Sequence, residues 1–277
     1  DLSISMGVSL GPVQADLVSG ESTRQRRALS ELASLGSLAG PAAAAFICPQ
    51  LEHEDGRLRQ AAVEALAKVA PAGDPHAQAL LAGKLEDAQL AVRSAAGKAL
   101  AELSGRGDPH ALALASARLE HEERAVRHSA VEALARLAEP GDPRAGELLG
   151  ELLEHPEDVV REAAVDALSY QAARGDCAAL AWLSGRLEDE SSIVRWATVE
   201  ALTPAVQKLD GRALRLLTKC AQDRDRHVRI ATIKALGQAA PGSAATALEA
   251  CLQDQDMEVR CHARRAAARA RAAEAGA

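Results

Sequence analysis

Hydrophobic and polar positions recur along this chain with a step of 34 residues. The recurring unit contains an apolar residue and an arginine, followed by Ala, Val and Leu at helical spacing. A degenerate copy at Arg24-Gln25 begins the series. The later copies are Leu58-Arg59, Val92-Arg93, Val126-Arg127, Val160-Arg161, Val194-Arg195, Val228-Arg229 and, after a shorter step of 31 residues, Val259-Arg260. This register predicts eight structural units.

Each unit is predicted to contain two helices. The first helix begins after an Asp, because Asp accepts hydrogen bonds from free amides at a helix start, and a following Pro has no N–H to satisfy. The Gly before this Asp is expected to end the preceding helix. The second helix begins near the Val-Arg pair, after a short acidic turn. The predicted starts of first helices are Asp74-Pro75, Asp108-Pro109, Asp142-Pro143, Asp176-Cys177 and Asp210-Gly211.

Stacking of these hairpins determines the expected fold and its boundaries. One hairpin cannot bury its apolar stripe alone, so neighbouring hairpins must share a continuous core. We therefore expect an all-α solenoid over residues 22–272, a degenerate arm or cap over 1–21, and a frayed end over 273–277. The predicted units are 22–39, 40–73, 74–107, 108–141, 142–175, 176–209, 210–240 and 241–272.

Composition agrees with a helical core and narrows the range of partners. Only four residues are aromatic, so Ala and Leu, which favour helices, must fill the interior. The formal net charge of −7 disfavours a nucleic-acid partner, because phosphate binding depends on a basic surface. The sequence contains no run of 18 apolar residues, so no membrane span is predicted. No cofactor is expected, because the sequence contains no phosphate loop, nucleophile elbow or H-E-x-x-H motif.

The location of the protein is predicted from its cysteines and its first residue. Five cysteines without a C-x-x-C pair are expected to be small buried residues, which favours a reducing, intracellular compartment. The first residue is Asp rather than Met, so we expect a chain that is processed or truncated at its N-terminus.

The repeated letters resemble those of HEAT repeats. An acidic turn, a Val-Arg pair and an Ala/Leu-rich second helix are present over about residues 22–270, whereas the tetratricopeptide and ankyrin motifs are absent. The resemblance implies a right-handed α-solenoid, an α-α superhelix, of about eight two-helix HEAT-like repeats. The short, regular form is similar to the repeats of phycobilisome lyases. Such repeats serve scaffolds, adaptors, lyase-type chaperones and assembly factors.

A column of arginines at one position of every repeat has two interpretations. It could bind an acidic partner, or each arginine could pair with carboxylates of the acidic turns, such as Asp87, Glu122, Asp158, Asp189 and Asp225. Because the residue type stays constant between units, we favour a structural ladder. Its members are Arg59, Arg93, Arg127, Arg161, Arg195, Arg229 and Arg260.

Histidines next to glutamates raise the question of a metal site. HEAT-type deoxyhypusine hydroxylases bind iron through His-Glu pairs inside second helices. Here His53, His121 and His155 lie in turns, where other units have Asp, so we interpret them as cap or turn residues and expect no metal. Catalysis, including iron-dependent hydroxylation, is not expected.

Variable positions on the constant frame are the candidates for partner binding. The position after the ladder arginine changes from unit to unit, and it includes His128, Glu162, Trp196 and Ile230. Tyr170 replaces charged residues at another variable position. Because Trp and Tyr are frequent at binding hot spots, these five residues could form a docking patch, although Trp196 could instead lie flat on neighbouring alanines. Trp182 shares its position with Phe46 and several leucines and is expected in the core.

The leading hypothesis is a non-catalytic, protein-binding scaffold or accessory subunit that holds a partner on the concave, second-helix face. The alternative, from the family resemblance alone, is a phycobilin lyase-like factor for chromophore attachment or assembly. The C-terminal arginines of residues 260–271 could either bind an acidic partner or form a polar end cap.

Overall fold

A computed structural model describes residues 11–139, 141–174, 176–207, 211–238 and 245–275. These residues form helices joined by short turns and contain no strand. The prediction of an all-α solenoid fold is confirmed. The helices belong to two compact units, Asp1–Glu139 and Pro140–Ala277, which we describe separately.

The first unit contains four helical hairpins in its described part. In each hairpin a short first helix packs on a longer second helix, and the second helices α2, α4, α6 and α8 pack successively against one another. Their bounds are α1 Gly11–Leu17, α2 Ser22–Leu35, α3 Pro41–Ile47, α4 Gly56–Val69, α5 Pro75–Gly83, α6 Leu90–Ser104, α7 Pro109–Ser116 and α8 Arg124–Leu137.

The second unit repeats this arrangement. Its second helices α10, α12, α14 and α16 also pack in succession, and each receives the first helix of its own hairpin. Their bounds are α9 Pro143–Leu152, α10 Asp158–Ala173, α11 Cys177–Gly185, α12 Ser192–Gln207, α13 Gly211–Cys220, α14 Arg226–Leu236, α15 Ala245–Cys251 and α16 Met257–Ala275.

The predicted aspartates cap the first helices. Asp74 accepts the N–H of Ala77 at 2.8 Å, and Asp108 accepts the N–H of Ala111 at the same distance. Asp142 and Asp176 do the same for α9 and α11. Asp210 lies outside the described residues. The helix starts thus follow from side-chain acceptors that satisfy free amides.

The Gly before Asp74, Asp108 and Asp142 has a different role from the one predicted. α4 ends at Val69 and α8 at Leu137, several residues before Gly73 and Gly141, so the prediction that this Gly ends the helix is wrong. Gly73 has a φ of 70° and donates its N–H to the Leu103 carbonyl in the following repeat, at 2.9 Å. Gly107 bonds to Leu137 in the same way at 2.8 Å. The glycine therefore links neighbouring repeats through its backbone.

The N-terminal segment contains a helix of its own. α1 packs on α2 with Val13 and Leu17 buried, and Gln25, at the ladder position of this repeat, donates to the Leu17 carbonyl at 2.9 Å. Residues 1–10 of the predicted arm and 276–277 of the predicted frayed end lie outside the described residues.

Candidate functional site

The ladder arginines join each second helix to the following repeat. Arg195 is buried near the start of α12, and its Nε and Nη2 bind both carboxylate oxygens of Asp223 at 2.8 and 2.9 Å. Its Nη1 donates to the carbonyls of Asp189 and Glu190 at 2.7 and 3.0 Å. The same two-oxygen pairs with the following turn are Arg59–Asp87, Arg161–Asp189 and Arg229–Asp254.

The paired aspartates have pKa values that favour the charged form. Burial acts to raise the pKa of Asp189, but the hydrogen bonds from Arg161 and from the Ser191 amide lower it below its ordinary value overall. Asp87 and Asp254 are shifted in the same direction for the same reasons. The Asp189 hydrogen bond raises the pKa of Arg161, so the pair stays ionised.

The turns after Arg93 and Arg127 have His instead of Asp at this position, and of these two arginines Arg93 gains another side-chain partner among the described residues. In the turn after Arg93, His121 occupies the position that Asp has elsewhere. The Nε of Arg93 donates to the hydroxyl of Ser129 at 3.1 Å. Arg127 bonds to the carbonyls of His121 and Glu122 at 2.9 and 2.8 Å. Arg260 bonds in the same way to the carbonyls of Asp254 and Gln255. The carbonyl contacts are thus constant, and the carboxylate contacts depend on the turn residue.

Three acidic residues that are expected to pair with ladder arginines through their carboxylates make different contacts. Glu122 offers Arg127 its backbone carbonyl. Asp158 accepts the hydroxyl of Ser191 at 2.8 Å, and Asp225 caps α14 by accepting the N–H of His227 at 2.7 Å. These side chains lie at the helix entrance, whereas the guanidinium group reaches the carboxylate of the next repeat.

The side chains of the turn histidines accept hydrogen bonds from backbone N–H groups. Their Nδ1 atoms accept the N–H two residues later, as the carboxylates of Asp87 and Asp189 do in other turns. These bonds are His53 to Asp55 at 3.0 Å, His121 to Glu123 at 3.0 Å and His155 to Glu157 at 3.1 Å. Within the described ranges, no cluster of three His, Cys, Asp or Glu side chains could hold a metal ion.

The predicted docking residues do not form one continuous patch. Trp196 is 39% exposed and Ile193 is 44% exposed, one helical turn apart on α12. Glu162, at the same repeat position as Trp196, lies half-buried on α10. Tyr170 is exposed, but it lies eight residues further along α10, about 12 Å at the helical rise per residue.

Two other predicted docking residues lie elsewhere. Ile230 is only 6% exposed, because α14 turns this position toward the interior, so little of its side chain is accessible to a partner. His128 is exposed in the first compact unit, with its Nε2 3.6 Å from Glu132. Ile193, which sequence analysis did not single out, joins Trp196 because the two are three residues apart on one helix face.

Trp182 is half-buried on a first helix rather than sealed in the core. Its ring lies against α9, where Gly146 and Gly150 make room for it. A Cβ atom on Gly146 would lie 2.8 Å from Cη2 of Trp182. Five other repeats have Leu or Phe at the position of Trp182, and the four of these that do not contain Gly146 itself have a residue larger than glycine at its position.

The cysteines are only partly buried, against expectation. Cys220 and Cys251 are buried and Cys48 is half-buried, but Cys177 and Cys261 are exposed. Burial raises the pKa of the Cys220 thiol to about 11. Exposure at Cys177 and Cys261 follows from their helix positions, a first-helix start and the variable position of α16.

Solved structures of helical repeat proteins are similar to this chain. Kap121p matches 93% of the chain with 15% identity and a TM-score of 0.67, and the chain covers 33% of Kap121p. Human deoxyhypusine hydroxylase matches 95% of the chain with 23% identity and a TM-score of 0.40, over 96% of its own length. An engineered protein matches 94% of the chain with 20% identity and a TM-score of 0.42, over 77% of its own length. The Kap121p match supports the solenoid fold alone.

The family assignment rests on a comparison with family profiles. None of the described helices has both the length and the apolar character needed to cross a membrane. Comparison with curated proteins found no match. The profile of HEAT repeats matches residues 77–169 and 179–270, which is more than half of the chain. The chain therefore belongs to the HEAT-repeat family.

Proposed function

We propose that this protein is a non-catalytic, protein-binding scaffold or accessory subunit of a larger assembly, and that it holds a protein partner on the second-helix face. HEAT-repeat solenoids present extended surfaces that suit this role.

The observation that carries the proposal is the exposed pair Ile193 and Trp196 on α12. Val194 and Arg195, between them in sequence, are buried and belong to the constant frame. Ile193 and Trp196 occupy variable positions and leave large apolar area in solvent. Exposed Trp beside an aliphatic residue is typical of interaction hot spots, since it buries much area with little loss of side-chain freedom.

The test compares Trp196→Ala with His128→Ala, an exposed residue at the same repeat position. Crosslinking and mass spectrometry on native extract identify a partner, and its affinity is then measured with purified proteins. We expect Trp196→Ala to weaken binding about 30-fold, as for a typical hot spot, and His128→Ala to change it less than about twofold. Circular dichroism checks that both variants remain helical.

Unchanged affinity in Trp196→Ala would refute the proposed binding face. Mixing the protein with a free bilin and recording its absorbance separates the lyase-like alternative, because pigment binding shifts the spectrum. A scaffold leaves that spectrum unchanged.

A further inference from the structure

A groove between α14 and α16 combines a floor of small residues with walls of basic side chains. It has a volume of about 300 Å³. Gly237 and Ala266 form the floor, where a Cβ atom on Gly237 would lie 2.9 Å from the Cβ of Ala266. Lys234 projects from α14, and Arg265 and Arg269 project from α16, one turn apart. His262 also lines the groove.

Lys234, Arg265 and Arg269 form no ion pair with another of the residues that the structure describes. Among the described residues from α14 to α16, ion pairs join Arg229 to Asp254 at 2.8 Å, Arg226 to Asp256 at 3.7 Å and Arg271 to Glu249 at 3.9 Å. None of the ion pairs found there involves Lys234, Arg265 or Arg269. The groove therefore concentrates positive charge in a protein whose net charge is −7.

The corresponding groove in the first compact unit provides an internal comparison. It lies between α4 and α6, has a volume of about 380 Å³, and is lined by Glu64, Lys68, Lys98 and Glu102 at the matching repeat positions. Its two acids and two bases balance. The excess of positive charge in the α14–α16 groove is thus absent from the matching α4–α6 groove.

We propose that the α14–α16 groove binds an acidic peptide segment of a protein partner, with Lys234, Arg265 and Arg269 receiving its carboxylates. A guanidinium group binds a carboxylate through two parallel hydrogen bonds. The guanidinium groups of Arg265 and Arg269 belong to residues one turn apart on α16. The groove holds a short segment with several acidic residues.

Charge on the neighbouring helices favours a peptide over a nucleic acid. The repeat position occupied by Lys234 and Arg265 in this groove is occupied by Asp166 on α10 and Glu200 on α12. A long phosphate backbone that followed the second-helix face would meet these carboxylates. A short acidic peptide held by Arg265 and Arg269 on α16 would be separated from Glu200 by α14.

The experiment measures fluorescence anisotropy of a labelled oligoglutamate peptide, with an oligoglutamine peptide of equal length as reference. We expect the full-length protein to bind oligoglutamate, with an affinity that falls as salt rises, and not to bind oligoglutamine. Arg265→Gln should weaken binding about tenfold, since a charge-assisted contact is lost. The matched control, Lys98→Gln, removes a charge at the same position of the first unit and should change affinity less than about twofold.

Three results would overturn the proposal: no binding of oligoglutamate, equal weakening by Lys98→Gln, or tighter binding of a single-stranded oligonucleotide that is also lost in Arg265→Gln. Thermal unfolding of the variants confirms that the fold is intact, and Arg269→Gln provides a second variant if Arg265→Gln does not fold. Trp196→Ala should leave peptide binding unchanged, so failure here is distinct from failure of the proposed binding face.

Discussion

The ladder arginine meets two different chemical environments within a single compact unit. Arg59 binds both carboxylate oxygens of Asp87, whereas Arg93 binds the hydroxyl of Ser129, and each also donates to two turn carbonyls. A buried carboxylate that loses its cation costs far more than a hydroxyl that loses one bond, because its charge remains desolvated. The two arginines therefore contribute unequally to stability although they occupy the same repeat position.

We predict that Arg59→Gln destabilises the protein more than Arg93→Gln. Removal of the Arg59 guanidinium leaves Asp87 buried without its partner, so we expect a loss of about 3–5 kcal/mol in the free energy of unfolding. Arg93→Gln should cost about 2 kcal/mol, the scale of a hydrogen bond from a charged group. Urea unfolding followed by circular dichroism measures both values. Equal losses would show that the carboxylate pair adds nothing to the carbonyl contacts.

Single residues also show where prediction from sequence fails. Trp196 and Ile230 share one repeat position, yet Trp196 is 39% exposed and Ile230 is 6% exposed. Variation between repeats indicates that a position is not required for packing the repeats together. The orientation of each helix decides how much of the side chain at that position is exposed to solvent. The carboxylate partners of four ladder arginines are likewise predicted only in part, because they lie 25 or 28 residues away in the next repeat.

At the scale of helices, Trp182 and Gly146 form a matched pair on adjacent first helices. Glycine inside a helix costs roughly 1 kcal/mol relative to alanine, so its presence in α9 calls for a compensating contact. The ring of Trp182 occupies the space that a side chain on Gly146 would fill. The pair is a local substitution within an otherwise regular stack.

We predict that the effect of Gly146→Ala changes sign with the residue at position 182. With Trp182 in place, the added methyl group displaces the ring and destabilises the protein. In a Trp182→Leu background, Gly146→Ala should stabilise by about 0.5–1 kcal/mol through helix propensity. Thermal unfolding of the four proteins in this double-mutant cycle gives both values. The same sign in both backgrounds would contradict the pairing.

Sequence reasoning predicted these helices well because their starts depend on local chemistry. Asp74 and Asp108 cap the helices that begin at Pro75 and Pro109, as the Asp-Pro motif indicates. The role of Gly73 was missed, since its N–H bonds to Leu103 of the next repeat and that distance along the chain leaves no local pattern. Contacts within a repeat are thus predictable from spacing, and contacts between repeats are less so.

At the scale of the whole molecule, the ion pairs of the ladder make the folded protein less stable at acidic pH than at neutral pH. The pKa values of Asp87, Asp189 and Asp254 are lowered by folding, so the unfolded chain binds protons more readily than the folded protein. Their contribution is complete above the ordinary carboxyl pKa, near 3.8, and is lost as pH falls below it.

We predict that Asp189→Asn is less stable than the unaltered protein at pH 7 and that this difference narrows below about pH 4. In the unaltered protein, protonation of Asp189 at low pH removes its negative charge. The Asn variant lacks this charge at every pH, so the two proteins become more alike as the pH falls. Urea midpoints measured from pH 7 to pH 3 test this, with Asp16→Asn, at an exposed surface pair, as the control. A difference that stays constant with pH would contradict the role of the ionised pair.

Site-specific photo-crosslinking tests the central proposal, that the partner lies on the second-helix face. A photoreactive amino acid replaces either Glu200, exposed on second helix α12 near Trp196, or Glu147, exposed on first helix α9, and each protein is irradiated in native extract. We predict that the same protein partner is crosslinked from position 200 and not from position 147. Crosslinking from position 147 alone would contradict a partner bound on the second-helix face.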